Sequence, residues 1–417
     1  MDVKITPSAL KGNVTMPPSK SAAHRLLICA ALSNMESYIK PKCTSDDIKA
    51  TVSCLKEMGA NIKENPDGYI VSRGETNKNC TLDFCESGST ARFLLPIAAA
   101  IGSDATMIGR GRLPKRPMAP LTNVLREYGV EVSSDNLPIT VKGSLNAGNF
   151  ELAGNISSQY VSGLLFAAPL LKGESQINLT RPLESTGYVD MTLKALSEFG
   201  VSVEKGKDSY KINPQEYKGK NMVIEGDWSQ AAFFMSAAAI GSEIQIEALD
   251  LDSLQGDKAC LDIFARFGAD VSVTDNKITV KKNRLEGITV DASNIPDMVP
   301  ALAATAAFAK GKTVIHSAER LRLKESDRIK TTIAALNQMG IKTEEKPDGM
   351  IIYGAEPKGA VIDGAGDHRI VMAFSVAAAY AKGESVIKGA EAISKSYPEF
   401  FSEFKKLEGK VIEIECR

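Results

Sequence analysis

Among its 417 residues the chain has one tryptophan, three histidines, and seven cysteines without a CxxC pair. His24, His316 and His368 are too scattered in sequence to suggest a histidine metal site. An odd number of cysteines without paired spacing points to neither a disulfide framework nor a thiolate zinc site, so a reducing, cytoplasmic setting is expected. No apolar run approaches the ~18 residues of a membrane span. The opening residues, MDVKITPSAL, carry no apolar core of the kind a signal peptide needs. Charge of one sign is not in excess either: the net charge of −1 argues against a nucleic-acid-coating or polybasic membrane protein. A local basic cleft remains compatible with that balance, because net charge does not describe distribution.

What the chain does have is repetition. A helix-like stretch that stops at a glycine and runs into a strand-like stretch recurs six times, as KEMGANI, REYGVEV, SEFGVSV, ARFGADV, NQMGIKT and KLEGKVI. The glycines are Gly59, Gly129, Gly200, Gly268, Gly340 and Gly409, about 70 residues apart. Upstream of each is an apolar, alanine-rich stretch: AAHRLLICAALS, TARFLLPIAAAIG, YVSGLLFAAPLLKG, AAFFMSAAAIG, ALAATAAFAKG and IVMAFSVAAAYAKG. A helix apolar on every side is a buried helix, and small side chains let its neighbours approach. The second helix is amphipathic: in 326–339, Ile329, Ile333, Leu336 and Met339 share a face and Arg328 falls mostly on another. The closing glycine is expected to supply a left-handed cap.

One unit reads as strand, buried helix, strand, amphipathic helix and two strands, a βαβαββ element of an α/β fold. Six such units exceed one core, so two similar domains of three units each are expected. The sixth unit ends short, and the opening strands Val3–Ile5 and Asn13–Met16 are expected to complete it. The division is then 17–225 for one domain, and 1–16 plus 226–417 for the other, with Pro17 and Pro18 stiffening one crossing.

Helix N-termini expose unsatisfied N–H groups and a partial positive charge, which suits anions. The six apolar helices open on Lys20-Ser21, Ser87-Gly88-Ser89, Ser157-Ser158-Gln159, Asp227-Trp228-Ser229, Pro296-Asp297 and Asp367-His368-Arg369. Serine and aspartate there are ordinary caps. Arginine is not, since the helix dipole disfavours a cation in a first turn by up to ~1 kcal/mol. Arg25, Arg92 and Arg369 are read as first-turn arginines and therefore as anion ligands. The run Arg320 to Arg328 and the basic loop 109–118 each read either as solvated surface or as a ligand-facing loop. GxGxxG fails at Gly109 and Gly111 because Pro114 replaces the third glycine, and Gly311-Lys312-Thr313 lacks the earlier glycine of a P-loop.

In order along nearly the whole chain, PPSKSAAHR, SGSTAR, LPKRPM, SSQYVSGLL, EGDWSQAAFF, IPDMVPALA, LRLKESDR, DHRIVMAF and ISKSYPEFF resemble the EPSP synthase family of enolpyruvyl transferases. The resemblance implies two domains of three βαβαββ units in an inside-out barrel, with the active site in the interdomain cleft. It implies transfer of the enolpyruvyl group of phosphoenolpyruvate to the 5-hydroxyl of shikimate 3-phosphate, releasing phosphate, on the route to chorismate and aromatic amino acids. No metal or organic cofactor, nucleic acid or membrane partner is implied, and a monomer is expected. By matching positions, the resemblance assigns Lys20, Ser21, Arg25, Ser157, Ser158, Gln159, Ser185, Tyr188, Asp297 and Lys324 to shikimate 3-phosphate. Lys20, Gly88, Arg92, Arg116, Gln159, Arg328, Arg369 and Lys395 are assigned to phosphoenolpyruvate. Glu325 is expected as the acid at C3, Asp297 as the base for the hydroxyl, and Lys20 as the charge beside the departing phosphate.

Glu86 stands where the family usually has asparagine, placing a carboxylate beside an expected anion site unless it turns away or pairs with an arginine. Retention of Gly88 implies that glyphosate competes with phosphoenolpyruvate. The sister family that adds enolpyruvate to UDP-N-acetylglucosamine is the nearest alternative, but it typically carries a reactive cysteine in the loop matching 109–118, where this chain has none; Cys80 and Cys85 are expected in a strand. A non-catalytic anion-binding protein on the same fold is the alternative from another class.

Overall fold

The computed structural model describes residues 1–414; Cys416 and the last part of the sixth unit lie outside the described residues. The chain divides into two compact units, Pro18–Ile224, and Met1–Pro17 joined with the chain from Glu225 onward. Twelve helices alternate along the described residues. They are α1 (Lys20–Leu32), α2 (Asp46–Glu57), α3 (Gly88–Ala100), α4 (Ala119–Glu127), α5 (Ser158–Ala167), α6 (Thr186–Glu198), α7 (Trp228–Gly241), α8 (Cys260–Phe267), α9 (Val299–Ala306), α10 (Arg328–Gln338), α11 (His368–Tyr380) and α12 (Phe400–Lys406). Odd-numbered helices are the alanine-rich ones, and every residue of α7 except Gly241 is buried. Even-numbered ones bury one side, as α8 does with Cys260, Ile263, Phe264 and Phe267. No helix among the described residues is long and apolar enough to cross a membrane.

Among the described residues the strands form six four-stranded sheets of one topology. In the second, Asn79–Asp83 runs parallel to Asp104–Ile108 across α3. That strand pairs antiparallel with Ile139–Lys142, which pairs with Glu131–Val132 at the edge. The two opening strands are not used alike. Asp2–Thr6 inserts between Ser385–Lys388 and Lys410–Ile414 in the sixth sheet. Gly12–Thr15 instead joins the fourth sheet, parallel to Glu243–Glu247, which corrects the expectation that both complete the sixth unit. The reason lies before α7: the short strand Met222–Val223 pairs with Ser37–Lys40 in the first sheet, leaving the fourth unit without a first strand of its own.

Five of the six repeat glycines adopt the left-handed cap, with Gly268 at φ +103 and so close to Arg284 that a Cβ would fall 2.3 Å from its carbonyl oxygen. In the sixth unit the positive φ belongs to Glu408 (+67) rather than Gly409. There α12 is short and reaches its C-cap at Leu407, so the left-handed position arrives one residue before the glycine.

The polar side chains of His24 and Arg25 are buried in α1. His24 is 1% exposed, its Nδ1 lies 2.7 Å from Thr51 Oγ1, and its ring meets Phe93 edge-on. Burial, reinforced by the Lys20 and Arg25 charges, holds its pKa well below the usual 6.5, so the imidazole is neutral. The unfolded chain therefore binds a proton near pH 6.5 that the folded chain refuses, and stability present above that pH is lost as pH falls below it. The expected slope contribution reaches about 1.4 kcal/mol per pH unit. Urea unfolding of the wild type and His24→Gln between pH 7.5 and 5 checks this: the variant should lose stability less steeply, and identical slopes would refute it.

Candidate active site

In the unit Pro18–Ile224, polar groups collect at the N-termini of α1, α3 and α5, each capped by a serine: Ser19 accepts from Ala22 N–H, Ser87 from Thr90 N–H and Ser157 from Gln159 N–H. Lys20 opens α1, where the dipole disfavours it, and its Nζ is compensated by Asp47 Oδ2 at 2.7 Å. Asp47 also accepts, through its backbone carbonyl, from Thr90 Oγ1 of α3 at 3.4 Å. Lys20 is thereby tied to the turn that carries Gly88.

Arg25 and Arg92 are not first-turn residues, as the sequence reading had them; they stand one turn inside α1 and α3, and only Arg369 lies in a first turn. Among the cations of the apolar helices, the anion argument from the dipole thus applies to Lys20 and Arg369. Arg25 is 3% exposed, and Nε donates to Thr192 Oγ1 (2.9 Å), Nη1 to the Ser21 carbonyl (2.6 Å) and Nη2 to the Tyr188 carbonyl (2.8 Å). Its guanidinium also lies over the Phe93 ring, 5.2 Å from the centroid. Burial lowers its pKa to about 10, which leaves it charged near neutrality. Arg92 Nη1 donates to Gln159 Oε1 at 2.7 Å, and Gln159 Nε2 donates to Ser89 Oγ at 2.9 Å, which fixes the Gln159 amide between α3 and α5.

Gly88 is glycine for a spatial reason. A Cβ there would fall 2.4 Å from Arg116 Nη1 and 3.0 Å from Arg92 Nη1, so both guanidinium groups pack directly on the backbone at the start of α3. Arg116 comes from the basic loop and is 7% exposed. Ser158 lies at the start of α5. Ser185 precedes α6 with φ +54, a left-handed conformation that costs a serine ~1–3 kcal/mol and that often marks a functional turn. Its carbonyl accepts from Tyr188 N–H, and the Tyr188 ring lies 5.9 Å from the Arg25 guanidinium. The sequence-assigned residues Lys20, Ser21, Arg25, Gly88, Arg92, Arg116, Ser157, Ser158, Gln159, Ser185 and Tyr188 all lie in this one unit, and apart from Ser158, placed by its position in α5, each takes part in one of the contacts above.

The other unit gathers Asp297, Lys324, Glu325, Arg328 and Arg369. The spacing in α10 placed Arg328 off the apolar face, yet it is 1% exposed and points inward. Its Nε donates to Asp367 Oδ2 (2.8 Å), Nη1 to Asp297 Oδ1 (2.8 Å), and Nη2 to Glu325 Oε2 (2.7 Å) and Asp367 Oδ1 (3.2 Å). Burial alone would lower its pKa, but Asp367, Glu325 and Asp297 outweigh that and raise it, so it is permanently charged. Asp297 is shared further: Oδ1 lies 3.4 Å from Lys324 Nζ and Oδ2 3.2 Å from Arg369 Nη2. Arg369 also donates to Ser229 Oγ at the start of α7 (3.1 Å). Lys395 donates to the Gly366 carbonyl at 2.7 Å, next to Asp367. Arg320 donates instead to the Ser293 carbonyl.

Sequence reasoning missed the anchors of this arrangement. Asp47, Thr192 and Asp367 carry Lys20, Arg25 and Arg328, but each looks in sequence like a helix cap or an amphipathic-helix polar residue. Asp367 does cap α11, through Arg369 N–H, while its carboxylate also holds Arg328. Cys80 lies in its strand as expected, whereas Cys85 is in the following turn at φ +51. Because Asp367 is fully buried against a fully buried arginine, removing its charge strands a cation. Asp367→Asn is expected to cost about 3 kcal/mol or more in urea unfolding; a loss below ~1 kcal/mol would show that Asp297 and Glu325 suffice.

A sequence model of the family described as EPSP synthase (3-phosphoshikimate 1-carboxyvinyltransferase) matches residues 5–404. A 3-phosphoshikimate 1-carboxyvinyltransferase of Clostridium novyi is 41% identical over 428 residues, covering 99% of this chain and 98% of that protein. One of Clostridium perfringens is 44% identical over 416 residues, covering 98% of each. Among solved structures, an EPSP synthase from Acinetobacter baumannii superposes with a TM-score of 0.83 at 28% identity, covering 99% of this chain and 100% of that one. The enolpyruvyl transferase NikO of Streptomyces tendae, at 16% identity and a TM-score of 0.81 with 99% and 98% covered, shares the fold. The chain belongs to the EPSP synthase (3-phosphoshikimate 1-carboxyvinyltransferase) family.

Proposed function

We propose that the two groups of side chains act together on one pair of substrates, transferring the enolpyruvyl group of phosphoenolpyruvate to the 5-hydroxyl of shikimate 3-phosphate. The observation that carries this reading is the single guanidinium of Arg328 holding two carboxylates, Asp297 on Nη1 and Glu325 on Nη2. Addition followed by elimination needs a base for the attacking hydroxyl and an acid for the methylene carbon. A protein that only binds anions has no use for an acid and a base set side by side on one guanidinium.

In the addition step Asp297 takes the proton of the 5-hydroxyl, the oxygen bonds to C2 of phosphoenolpyruvate, and Glu325 delivers a proton to C3. In the elimination step the C2–O bond to phosphate breaks as the new methyl group returns a proton to Glu325, and the departing phosphate takes up the proton that Asp297 removed from the hydroxyl. Lys20 offsets charge on the departing phosphate. Ser21, Arg25, Ser157, Ser158, Gln159, Ser185, Tyr188 and Lys324 hold shikimate 3-phosphate; Gly88, Arg92, Arg116, Gln159, Arg328, Arg369 and Lys395 hold phosphoenolpyruvate. Arginine's planar fork suits both carboxylate and phosphate. Arg328 meets this role by exchange: the incoming substrate carboxylate takes an Nη2 position from Glu325, which frees that carboxyl to face C3.

The sister reaction on UDP-N-acetylglucosamine is disfavoured by the thiols. Loop 109–118 has no cysteine, and the thiol of Cys85, the cysteine in the turn beside it, is pushed up by burial and the nearby Asp83 carboxylate, away from the reactive thiolate form.

Incubation with both substrates should release inorganic phosphate, and UDP-N-acetylglucosamine should not replace shikimate 3-phosphate; the reverse preference would overturn the assignment. Glu325→Gln should lower kcat by about 100-fold or more while calorimetry still detects shikimate 3-phosphate binding, and unchanged turnover would remove Glu325 from the chemistry. Gly88→Ala must push Arg116 off the start of α3. It should raise KM for phosphoenolpyruvate about tenfold or more with little change in KM for shikimate 3-phosphate, and equal effects on both would place Arg116 elsewhere.

A further inference from the structure

Glu86 is the residue whose charge conflicts most directly with an anion site two positions away, and the structure shows where that charge goes. The segment 83–86 forms a wall against the start of the basic loop. Phe84 N–H donates to the Ile108 carbonyl (2.9 Å) and Arg110 N–H to the Cys85 carbonyl (2.7 Å). Asp83 accepts from Cys85 N–H through Oδ1 (2.8 Å) and from Arg110 Nη2 through Oδ2 (2.5 Å). Glu86 continues this wall. Its carboxylate packs directly on the backbone of Gly111, where an added Cβ would fall 2.4 Å from Glu86 Cδ and 2.5 and 2.7 Å from its two oxygens. Gly111 itself has φ +60, a turn conformation that lets the chain double back at this point.

Beyond Gly111 the loop runs through Leu113, which is 2% exposed, and a short turn at Leu113–Lys115 to Arg116, whose N–H donates to the Leu113 carbonyl. It is tied at its far end where Tyr160 Oη donates to the Pro117 carbonyl. Two fastenings therefore bracket the cationic stretch Arg112 to Arg116: Glu86 and Asp83 at its start, Tyr160 at its end. Between them Arg116 is placed against Gly88.

We propose that Glu86 is a positioning residue that fastens the basic loop at Gly111 and thereby sets affinity for phosphoenolpyruvate, an inference that rests on the reading of Arg116 as a ligand of that substrate. A flexible basic loop would lose conformational freedom on binding an anion; a loop already fastened has lost it on folding. The carboxylate thus offsets its repulsion of the anion by ordering the cation that binds it.

The two effects have opposite signs, so substitution separates them. Glu86→Ala removes both charge and fastening, and it should raise KM for phosphoenolpyruvate about tenfold while kcat and KM for shikimate 3-phosphate change far less. Glu86→Gln removes the charge but keeps a side chain of the same length against Gly111, and its KM should lie between those of Glu86→Ala and the wild type. If charge alone matters, both variants lower KM equally, and the proposal is overturned. Gly111→Ala should raise KM in the wild-type background but cost less beside Glu86→Ala, where the crowding carboxylate is gone; strictly additive effects would count against the contact. Limited trypsin digestion of the free protein reads the fastening without any turnover: cleavage after Arg110 and Arg112 should accelerate in Glu86→Ala and less so in Glu86→Gln. Unchanged cleavage would overturn the fastening even if the family reaction is confirmed, whereas faster cleavage in a chain that releases no phosphate would uphold it while sinking the functional reading.

Discussion

The constraint behind this architecture is the burial of six helices on every side. A helix such as α7, with all but its last residue removed from water, has no face on which to carry a charge. Its middle is therefore alanine and other apolar residues, and neighbours approach closely across small side chains. Polar groups are displaced to the helix ends, where caps are needed in any case. Within each unit those ends are neighbours, as the Arg92–Gln159–Ser89 contacts across α3 and α5 and the Arg369–Ser229–Asp297 contacts among α11, α7 and the approach to α9 demonstrate. Packing that excludes charge from the core concentrates it at one pole of each helix group.

Charge concentrated in that way is costly unless every group is answered. Arg328 is buried with three carboxylates and Arg25 with two carbonyls, a hydroxyl and an aromatic ring, while the half-buried Lys20 pairs with Asp47. Buried ion pairs add little net stability once desolvation is counted. What they provide is fixed geometry, which is what stabilising a developing charge demands, since groups already oriented need not reorganise as the reaction proceeds. The same physics explains the strained turn at Ser185 and the glycine at position 88: both place backbone or cation where an ordinary residue would not allow it.

Much of this was legible in residue order. The α/β class, the βαβαββ unit and the alternation of buried and amphipathic helices follow from periodicity, because a helix reveals its surroundings through its apolar pattern. The glycine caps were legible for five units and misplaced by one residue in the sixth, where the shortness of α12 decides. Arg328 was misjudged because its neighbours at helical spacing are polar; a buried salt bridge to Asp367, 39 positions away, has no local signature. Arg25 and Arg92 were counted in first turns although the starts of α1 and α3 were read correctly; with 3.6 residues per turn, both positions already fall in the second turn.

By itself, residue order determined the repeating unit, the division of helices into buried and half-buried, and the family, since these depend on patterns within a few turns of chain or on runs of matching residues. Tertiary structure alone decided that the strand Gly12–Thr15 serves the fourth sheet, that Glu86 lies on Gly111, and which carboxylate answers which cation. Those outcomes are settled by contacts between residues tens to hundreds of positions apart, where the free energy of pairing depends on distance and burial that no local pattern records.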